Sequence, residues 1–284
     1  MTILVTGASG FIGSALVKDL SSDHKVVGIS RKPTDLGVPI IKGNFQEFED
    51  LHQLDEYSFD AVVHLAAELG GAGESAAISV NAVGTRNLMS YLKSRGCKKF
   101  VNASSIAAIG FQSMLFRPQQ FPVLDEHPCL DRNGYGMSKF LMEEITQYIF
   151  RQDPALDIIN LRLSSITPDD NPKDLVGPGP LIEWAFGHIT VMTLSDAVGV
   201  FRAAVTSVYK PGVRILNASA QRAWVNAPVA DILRSWYGKE VDVSYFEQSG
   251  HEYDSLFNVG KLEKEIGFKA QNGPEKIHAK QYLA

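Results

Sequence analysis

Tyr135 and Lys139 are the residues of this chain whose types and spacing most directly suggest chemistry. They stand four positions apart in a stretch with helical periodicity, so their side chains are expected on one helix face, one turn apart. A tyrosine hydroxyl is a weak base at neutral pH, and a neighbouring ammonium group favours its ionised form. The pair therefore predicts a proton-transferring tyrosine whose pKa is lowered by Lys139.

A pair of serines ends a predicted strand in the same half of the chain. Ser104 and Ser105 follow the apolar residues Phe100 and Val101. Ligands of open α/β sheets bind beyond the carboxyl ends of the strands, so we expect Ser105 to hydrogen-bond the reacting oxygen. The alternative for any serine pair is that it only begins a loop.

Three glycines mark the first predicted strand-to-helix turn. Gly7, Gly10 and Gly13 follow the apolar strand Thr2–Val5 and lead into a helix that begins at Phe11. Gly7 and Gly10 would let a pyrophosphate approach the backbone N–H groups at the helix N-terminus, and Gly13 would let the helix pack against the strand. This pattern predicts a dinucleotide cofactor, against the alternative of a glycine turn that binds nothing.

The residues after the second predicted strand bear on which dinucleotide binds. An NAD-binding protein usually has a carboxylate here, but this chain has Ser30, Arg31 and Lys32 before Pro33. The planar guanidinium of Arg31 can bind a 2′-phosphate bidentately, Lys32 adds charge, and Ser30 adds a hydroxyl. The sequence therefore favours NADP over NAD, and the alternative is a solvated basic turn.

Short apolar runs alternate with amphipathic helical stretches through the first half of the chain. This alternation predicts βαβ units, and hence a doubly wound parallel sheet of the Rossmann type in an α/β protein. The predicted strands are Ile3–Val5, Val26–Ile29, Ile40–Ile41, Ala61–Leu65, Phe100–Val101 and Ile158–Leu161. The predicted crossover helices are Phe11–Leu20, Ala76–Leu92 and Ser138–Phe150.

The character of the chain changes after Leu163, where four prolines between positions 168 and 180 indicate a loop that faces substrate. Beyond it we predict a small C-terminal α/β lobe that binds substrate. Its predicted elements are helices at 195–208, 228–237 and 260–266 and strands near 213–216 and 241–244. The predicted division is a dinucleotide-binding domain over 1–165 and a substrate lobe over 166–284, with segments that can interleave.

Bulk composition restricts the classes of partner. The chain has 284 residues, a formal net charge of -5 and no long run of Lys or Arg, so neither nucleic acid nor a membrane surface is an expected partner. No apolar run approaches the ~20 residues that span a bilayer. Two cysteines, Cys97 and Cys129, form no metal-ligand spacing and no disulfide framework, and so predict a cytoplasmic protein without a metal site.

Five motifs in this order resemble those of the extended short-chain dehydrogenases/reductases, in the NAD-dependent epimerase/dehydratase family. The resemblance covers nearly the whole chain. It rests on Thr6-Gly7-Ala8-Ser9-Gly10-Phe11-Ile12-Gly13 for TGxxGxxG, His64-Leu65-Ala66-Ala67 for HLAA, Asn81 to Leu88 for NVxGTxNL, Ser104-Ser105, and Tyr135 to Lys139 for YxxxK.

The resemblance implies roles for individual residues. Ser105 is similar to the residue that polarises the substrate oxygen, Tyr135 to the acid/base, and Lys139 to the residue that holds the nicotinamide ribose. Asn44 stands where the family often has an adenine-contacting Asp. Further implied cofactor contacts are Ser9, Phe11, Ile12, Leu65, Ala66, Ala67 and Asn81. Helices 76–92 and 138–150 resemble those of a dimer interface, which implies a homodimer.

Departures from the family pattern concern the substrate. The GxGxxxRDF stretch, whose Arg commonly meets a nucleotide diphosphate, is absent, and the chain passes directly from Gly187-His188-Ile189-Thr190-Val191 to Leu194-Ser195-Asp196-Ala197. Three other arginines, Arg162, Arg202 and Arg222, remain as candidates for binding an anion. Arg162 can equally be a paired core residue, and Arg222 a surface residue.

The leading functional hypothesis is hydride transfer between NADP and a hydroxyl or keto group of a small carbohydrate-like substrate, a sugar or sugar nucleotide. It would occur as net oxidoreduction or through a keto-sugar during epimerisation. One alternative resembles the uronate dehydrogenases, with Arg162 binding a carboxylate, although Arg31 argues against these NAD-preferring enzymes. Another is a non-catalytic NADP-binding sensor or scaffold. Dehydration ranks lower because Ser105-Ile106-Ala107 offers no acid pair.

Overall fold

The computed structural model describes residues 1–277, whose centre is a parallel sheet of seven strands. Its order is β3-β2-β1-β4-β5-β6-β9, so the direction of winding reverses between β1 and β4. This confirms the predicted doubly wound α/β fold. The strands are β1 Thr2–Thr6, β2 Lys25–Ser30, β3 Ile40–Lys42, β4 Ala61–His64, β5 Lys99–Ser105, β6 Asp157–Leu163 and β9 Gly212–Ala218. A separate two-stranded parallel sheet comprises β7 Ser165–Thr167 and β8 Val191–Thr193.

Helices cover both faces of the main sheet and continue into the C-terminal part. The α-helices are α1 Phe11–Leu20, α2 Phe48–Leu51, α3 Glu74–Ala77, α4 Thr85–Ser94, α5 Gly134–Gln152, α6 Ala185–Ile189, α7 Leu194–Thr206, α8 Val229–Tyr237, α9 Gly260–Ile266 and α10 Pro274–Ile277. A π-helix over Ile78–Gly84 joins α3 to α4, and 3₁₀ turns occupy His52–Leu54 and Ile106–Ile109. Within residues 1–277 we find no helix with the length and apolarity of a membrane span.

Alternate residues of the strands enter two hydrophobic layers. In β1, Ile3 and Val5 pack on the face that α1 and α7 cover, whereas Leu4 faces the layer of α4 and α5. Both layers exclude water, which explains why the strands read as continuous apolar runs.

The C-terminal half differs in part from the expectation. The strand predicted near 213–216 forms as β9, but it pairs with β6 in the main sheet, and α7 packs on α1. The strand predicted near 241–244 is wrong: this segment turns, with the Phe246 N–H donating to the Val243 carbonyl at 2.8 Å. Val243 is buried in a third hydrophobic cluster, so its apolarity reflects burial of a turn. The division at residue 165 stays a prediction.

A buried ion pair fixes α5 to the sheet. Arg162 on β6 donates to both carboxylate oxygens of Glu143, at 2.9 Å from Nε and 2.8 Å from Nη2, and both side chains are at most 4% exposed. Glu143 also accepts from the Ser104 hydroxyl at 2.6 Å. Since buried charges are costly unless paired, this contact strongly restricts the position of α5.

We predict that Glu143→Leu lowers the free energy of unfolding by about 3 to 5 kcal/mol, because it leaves the Arg162 charge buried without its partner. Urea denaturation followed by circular dichroism measures this change. Glu144→Leu, at the exposed neighbouring position, is the matched control and should cost less than about 0.5 kcal/mol. The double variant Glu143→Leu/Arg162→Met should recover most of the loss. Equal losses for Glu143→Leu and Glu144→Leu would contradict the role of the ion pair.

Candidate active site

The turn between β1 and α1 has the close approaches that its glycines predict. Gly7 adopts a positive φ of 67°, and its carbonyl accepts from the Gly10 N–H at 2.9 Å. A Cβ at Gly13 would lie 2.1 Å from the Gly7 carbonyl oxygen, so a larger residue would push α1 away from the turn. The turn thus keeps backbone N–H groups accessible at the N-terminus of α1, where an anionic pyrophosphate is stabilised.

One cavity of about 970 Å³ extends along the carboxyl ends of the strands from this turn to Tyr135. It lies where the sheet order reverses, which is the usual ligand position in such folds. Every predicted site residue except Asn81 lines it. These are Gly7, Ser9, Gly10, Phe11, Ile12, Gly13, Ser30, Arg31, Lys32, Asn44, Leu65, Ala66, Ala67, Ser105, Tyr135 and Lys139.

Asn81 lies behind the cavity wall and is not among the lining residues. Its side-chain amide donates to the Glu68 carbonyl and to the Ser138 hydroxyl, both at 2.8 Å, and its carbonyl accepts from the Glu68 N–H at 2.8 Å. Ser138 in turn donates to the Tyr135 carbonyl at 2.6 Å. The hydrogen bonds of Asn81 support the loop after β4 and the first turn of α5, and the cofactor contact implied for Asn81 stays a prediction.

A buried histidine that the sequence analysis did not single out for chemistry links three elements beneath the cavity. His64 hydrogen-bonds Thr6 through Nδ1 at 2.6 Å and Thr85 through Nε2 at 2.9 Å. Burial, together with the nearby Lys139 charge, lowers the pKa of His64 to about 3. Because the Thr85 hydroxyl donates to the Asn81 carbonyl, the neutral ring must donate from Nε2. The hydrogen bonds of His64, which lies on β4, thus connect this strand to β1 and to the first residue of α4.

The end of the cavity beside β2 is polar and basic. Ser9 and Ser30 share a short hydroxyl–hydroxyl contact, and Ser9 donates to the Lys32 carbonyl at 2.8 Å. Arg31 and Lys32 are exposed at the rim, and neither forms an ion pair with a residue in 1–277. Their charges are therefore available to an anionic group.

Ser105, Tyr135 and Lys139 lie close together in the cavity, on the side of the glycine turn that faces away from β2. Asn133 caps α5 by accepting from the Gly136 N–H at 2.9 Å, which sets the start of the helix that carries Tyr135. Ser105 ends β5 and accepts from the Ala107 N–H at 3.1 Å. Lys139 Nζ donates to the Ala103 carbonyl of the same strand at 2.7 Å. The strand end and the helix thus fix all three side chains.

The pKa values of the Tyr135 hydroxyl and the Lys139 ammonium group are both shifted by burial. Burial raises the pKa of the Tyr135 hydroxyl, and the Ser105 hydroxyl opposes this rise only in part. Lys139 Nζ lies 5.9 Å from the centroid of the Tyr135 ring. Burial also lowers the pKa of Lys139 to about 8, against the opposing effect of the Glu143 carboxylate. Without a bound cofactor, the net shift of the Tyr135 pKa is therefore upward, and the lowering of that pKa by Lys139 stays a prediction.

None of the three arginines considered for anion binding lines the cavity. Arg162 is held by Glu143 and is 4% exposed, so the alternative of a paired core residue is correct. Arg202 pairs with Asp19 and Asp23 near the end of α1. Arg222 lies over the Tyr253 ring, 5.2 Å from its centroid. The sugar-acid alternative therefore loses the residue proposed to bind its carboxylate.

Several residues that sequence reasoning missed line the part of the cavity beyond Tyr135. They come from the loops after β4 and β5, from the end of β6, from β7 and from the residue before α6: Leu69, Gln112, Leu163, Ser164, Ser165, Ile166 and Trp184. Trp184 has a left-handed backbone, with φ 61° and ψ 19°. The proline-rich segment gave the only sequence signal, because it predicted a substrate-facing loop close to Trp184.

Comparisons with known proteins agree with the geometry. A family model described as "NAD dependent epimerase/dehydratase family" matches residues 3–174, more than half of the chain. UDP-glucose 4-epimerase 2 of Oryza sativa subsp. japonica is 33% identical over 184 residues, a stretch that spans 57% of this chain but 43% of the rice enzyme. UDP-glucose 4-epimerase GEPI42 of Cyamopsis tetragonoloba is 26% identical, with 99% of this chain and 93% of that enzyme covered.

A solved structure shows the same fold. It is a short-chain dehydrogenase/reductase superfamily protein from Agrobacterium tumefaciens with bound NAD. It superimposes with a TM-score of 0.74 at 19% identity, covering all of this chain and 96% of that one. The fold, the cavity at the reversal of the sheet and the match over residues 3–174 lead to one assignment: this chain belongs to the NAD-dependent epimerase/dehydratase family.

Proposed function

We propose that the protein transfers a hydride between a nicotinamide cofactor and a carbon that bears a hydroxyl or keto group, in a sugar or sugar-nucleotide substrate. The reaction is either a net oxidoreduction or an epimerisation through a keto-sugar. The observation that carries this proposal is the single cavity in which the glycine turn and the group Ser105, Tyr135 and Lys139 meet. When bound, an oxidised nicotinamide supplies the hydride acceptor and a positive charge.

The residues of the chain have separate tasks in this proposal. The Ser105 hydroxyl, fixed at the end of β5, orients the reacting oxygen of the substrate. The Tyr135 hydroxyl takes the proton of a substrate hydroxyl in oxidation and returns it to a keto oxygen in reduction. Both directions need a hydroxyl that stays at hydrogen-bonding distance from the same oxygen, which the capped start of α5 provides.

Lys139 has the task of binding the cofactor ribose and of adding positive charge beside Tyr135. The Ala103 carbonyl uses one of its three ammonium donors, so two donors stay available to ribose hydroxyls. Because burial brings the pKa of Lys139 to about 8, its charge depends on the surroundings within the range in which enzymes work. A positive charge next to Tyr135 lowers the cost of forming the phenolate.

The basic end of the cavity supports a preference for NADP over NAD. Arg31 and Lys32 stand where the family's NAD-binding members usually have a carboxylate, and they complement the 2′-phosphate of NADP. The exposed Arg31 side chain approaches that position without a competing ion pair in the described chain. We therefore propose NADP as the preferred cofactor, although the Agrobacterium structure holds NAD.

The exposed face of α5 supports a homodimer as a further part of the proposal. Met137 and Tyr148, about three turns apart, are 42% and 47% exposed, and Val83 beside α4 is 50% exposed. These apolar side chains lie on the helices whose counterparts form dimer interfaces in this family.

Tyr135→Phe is expected to reduce turnover by about 10² to 10⁴, the usual contribution of a positioned acid/base, with folding and NADPH affinity retained. Lys139→Met should reduce both turnover and cofactor affinity. The change in NADPH absorbance over a panel of sugars and sugar nucleotides measures turnover, and calorimetric titration measures affinity. Near-normal turnover by Tyr135→Phe would remove Tyr135 from the mechanism, and no turnover by the parent protein across the panel would favour the sensor.

Arg31→Ala is expected to weaken NADPH binding by about 1.5 to 3 kcal/mol, the contribution of a charge-assisted contact, and to leave NADH binding nearly unchanged. Ser30→Asp should shift preference further toward NADH by placing a carboxylate beside the 2′ position. Calorimetric titration with each cofactor measures both effects, with Arg151→Ala, at an exposed arginine of α5, as the control. Equal losses for NADPH and NADH would contradict NADP preference.

A further inference from the structure

The two ends of the cavity differ in charge. Within residues 1–277 the charged side chains that line it are Arg31 and Lys32 at the β2 end and Lys139 beside Tyr135. Since β6 lies on the far side of β5 from β1, the lining residues that follow β6 mark the opposite end, together with Leu69 from the loop after β4 and Gln112 from the loop after β5. We call this end the substrate wall, and it comprises Leu69, Gln112, Ser164, Ser165, Ile166 and Trp184. All six of these side chains are uncharged.

Trp184 is held in the substrate wall by an unusual backbone conformation. Trp184 has a φ of 61°, and no other non-glycine residue among those that the structure describes has a positive φ. This region is strained for a bulky side chain and persists where the surroundings fix it, often at a ligand site. A Cβ at Gly187 would lie 2.2 Å from the indole, so the ring packs directly onto the Gly187 backbone. The indole is therefore a fixed, flat part of the wall.

The polar members of the wall have hydrogen-bonding capacity left. The Ser164 side chain is buried, at 6% exposure of the residue, and its hydroxyl has no hydrogen-bond partner in the described chain. Gln112 accepts from Asn133 through its carbonyl, which leaves its amide donors. A buried hydroxyl without a partner is costly, and a ligand hydroxyl would remove that cost.

A nucleotide diphosphate needs cations that this wall lacks. Two negative charges placed against uncharged side chains would lose their hydration without gaining an ion pair. The three arginines considered above have other partners. Arg162 is paired inside the core, Arg202 is paired with Asp19 and Asp23, and Arg222 lies over the Tyr253 ring. The wall is therefore better suited to hydroxyl groups and an apolar face than to phosphate.

We propose that the substrate is an uncharged sugar that carries no phosphate or nucleotide. The C–H face of its ring stacks on the Trp184 indole, and its hydroxyls bond Gln112, Ser164 and Ser165. This inference rests on the proposed hydride transfer and narrows its substrate class. Trp184 then determines specificity, whereas Tyr135 and Lys139 serve the reaction.

Matched sets of substrates test the class directly. Neutral aldoses, ketoses and methyl glycosides are compared with their phosphates and UDP conjugates, with NADP(H) and NAD(H). We expect kcat/KM for the best neutral sugar to exceed that of its phosphate or UDP conjugate by about a hundredfold or more, because an unpaired phosphate charge is costly to bury. UDP alone should not inhibit. Higher kcat/KM for a UDP conjugate, or competitive inhibition by UDP, overturns the inference.

Trp184→Asn tests the role of the indole, since Asn tolerates the left-handed backbone. We expect KM for the best neutral sugar to rise at least about tenfold through loss of the stacked ring, with the Kd of NADPH changed less than about twofold. Trp236→Phe, in the aromatic cluster around Phe186 and outside the cavity lining, is the matched control, and thermal melting verifies folding of both. An unchanged KM overturns the inference.

The outcomes also separate this inference from the proposed function. Tyr135-dependent turnover of UDP conjugates alone would overturn the neutral-sugar inference and leave hydride transfer in place. An absence of hydride transfer with every neutral and conjugated sugar would overturn the proposed function and this inference together.

Discussion

The buried ion pair between Glu143 and Arg162 restricts the position of α5, the helix that carries Tyr135 and Lys139. Tyr135, Lys139 and Glu143 follow one another at four-residue intervals along α5, so fixing Glu143 also fixes the other two. Glu143 connects to the sheet through Arg162 on β6 and Ser104 on β5, and Lys139 connects to the Ala103 carbonyl. A shift of α5 would separate buried charges from their partners, which is far more costly than losing surface contacts.

The order of the sheet also explains why one cavity has two chemically different ends. Because the winding reverses between β1 and β4, the helices leave a crevice at the carboxyl ends of the strands. The glycine turn after β1 places the N-terminus of α1, a position that favours anions, on one side. The end of β6 and the loops near it provide an uncharged wall on the other. Ser105, Tyr135 and Lys139 lie between these ends, where a cofactor and a substrate would meet.

The sequence was sufficient for features that depend on local pattern and insufficient for those that depend on distant pairing. The alternation of apolar runs and the glycine spacing predicted the Rossmann-type fold and the turn at Gly7. Arg162 and Glu143 are 19 residues apart on different elements, so the sequence left open whether Arg162 is a paired core residue or binds an anion, and it did not identify Glu143 as the partner. Val243 resembled a strand residue because a buried turn can be as apolar as a strand. Nothing in the sequence indicated the left-handed conformation of Trp184.

A crystal structure of the protein with NADPH and the best neutral sugar tests the central claim most directly. The claim is that the nicotinamide and the sugar lie together beside Ser105, Tyr135 and Lys139 in one cavity. The account predicts the pyrophosphate at the N-terminus of α1, the 2′-phosphate beside Arg31, and the nicotinamide next to Lys139. It also predicts one sugar oxygen within hydrogen-bonding distance of both the Tyr135 and Ser105 hydroxyls. A nicotinamide that lies away from Tyr135, or a sugar bound without contact to Tyr135 and Ser105, would contradict the account.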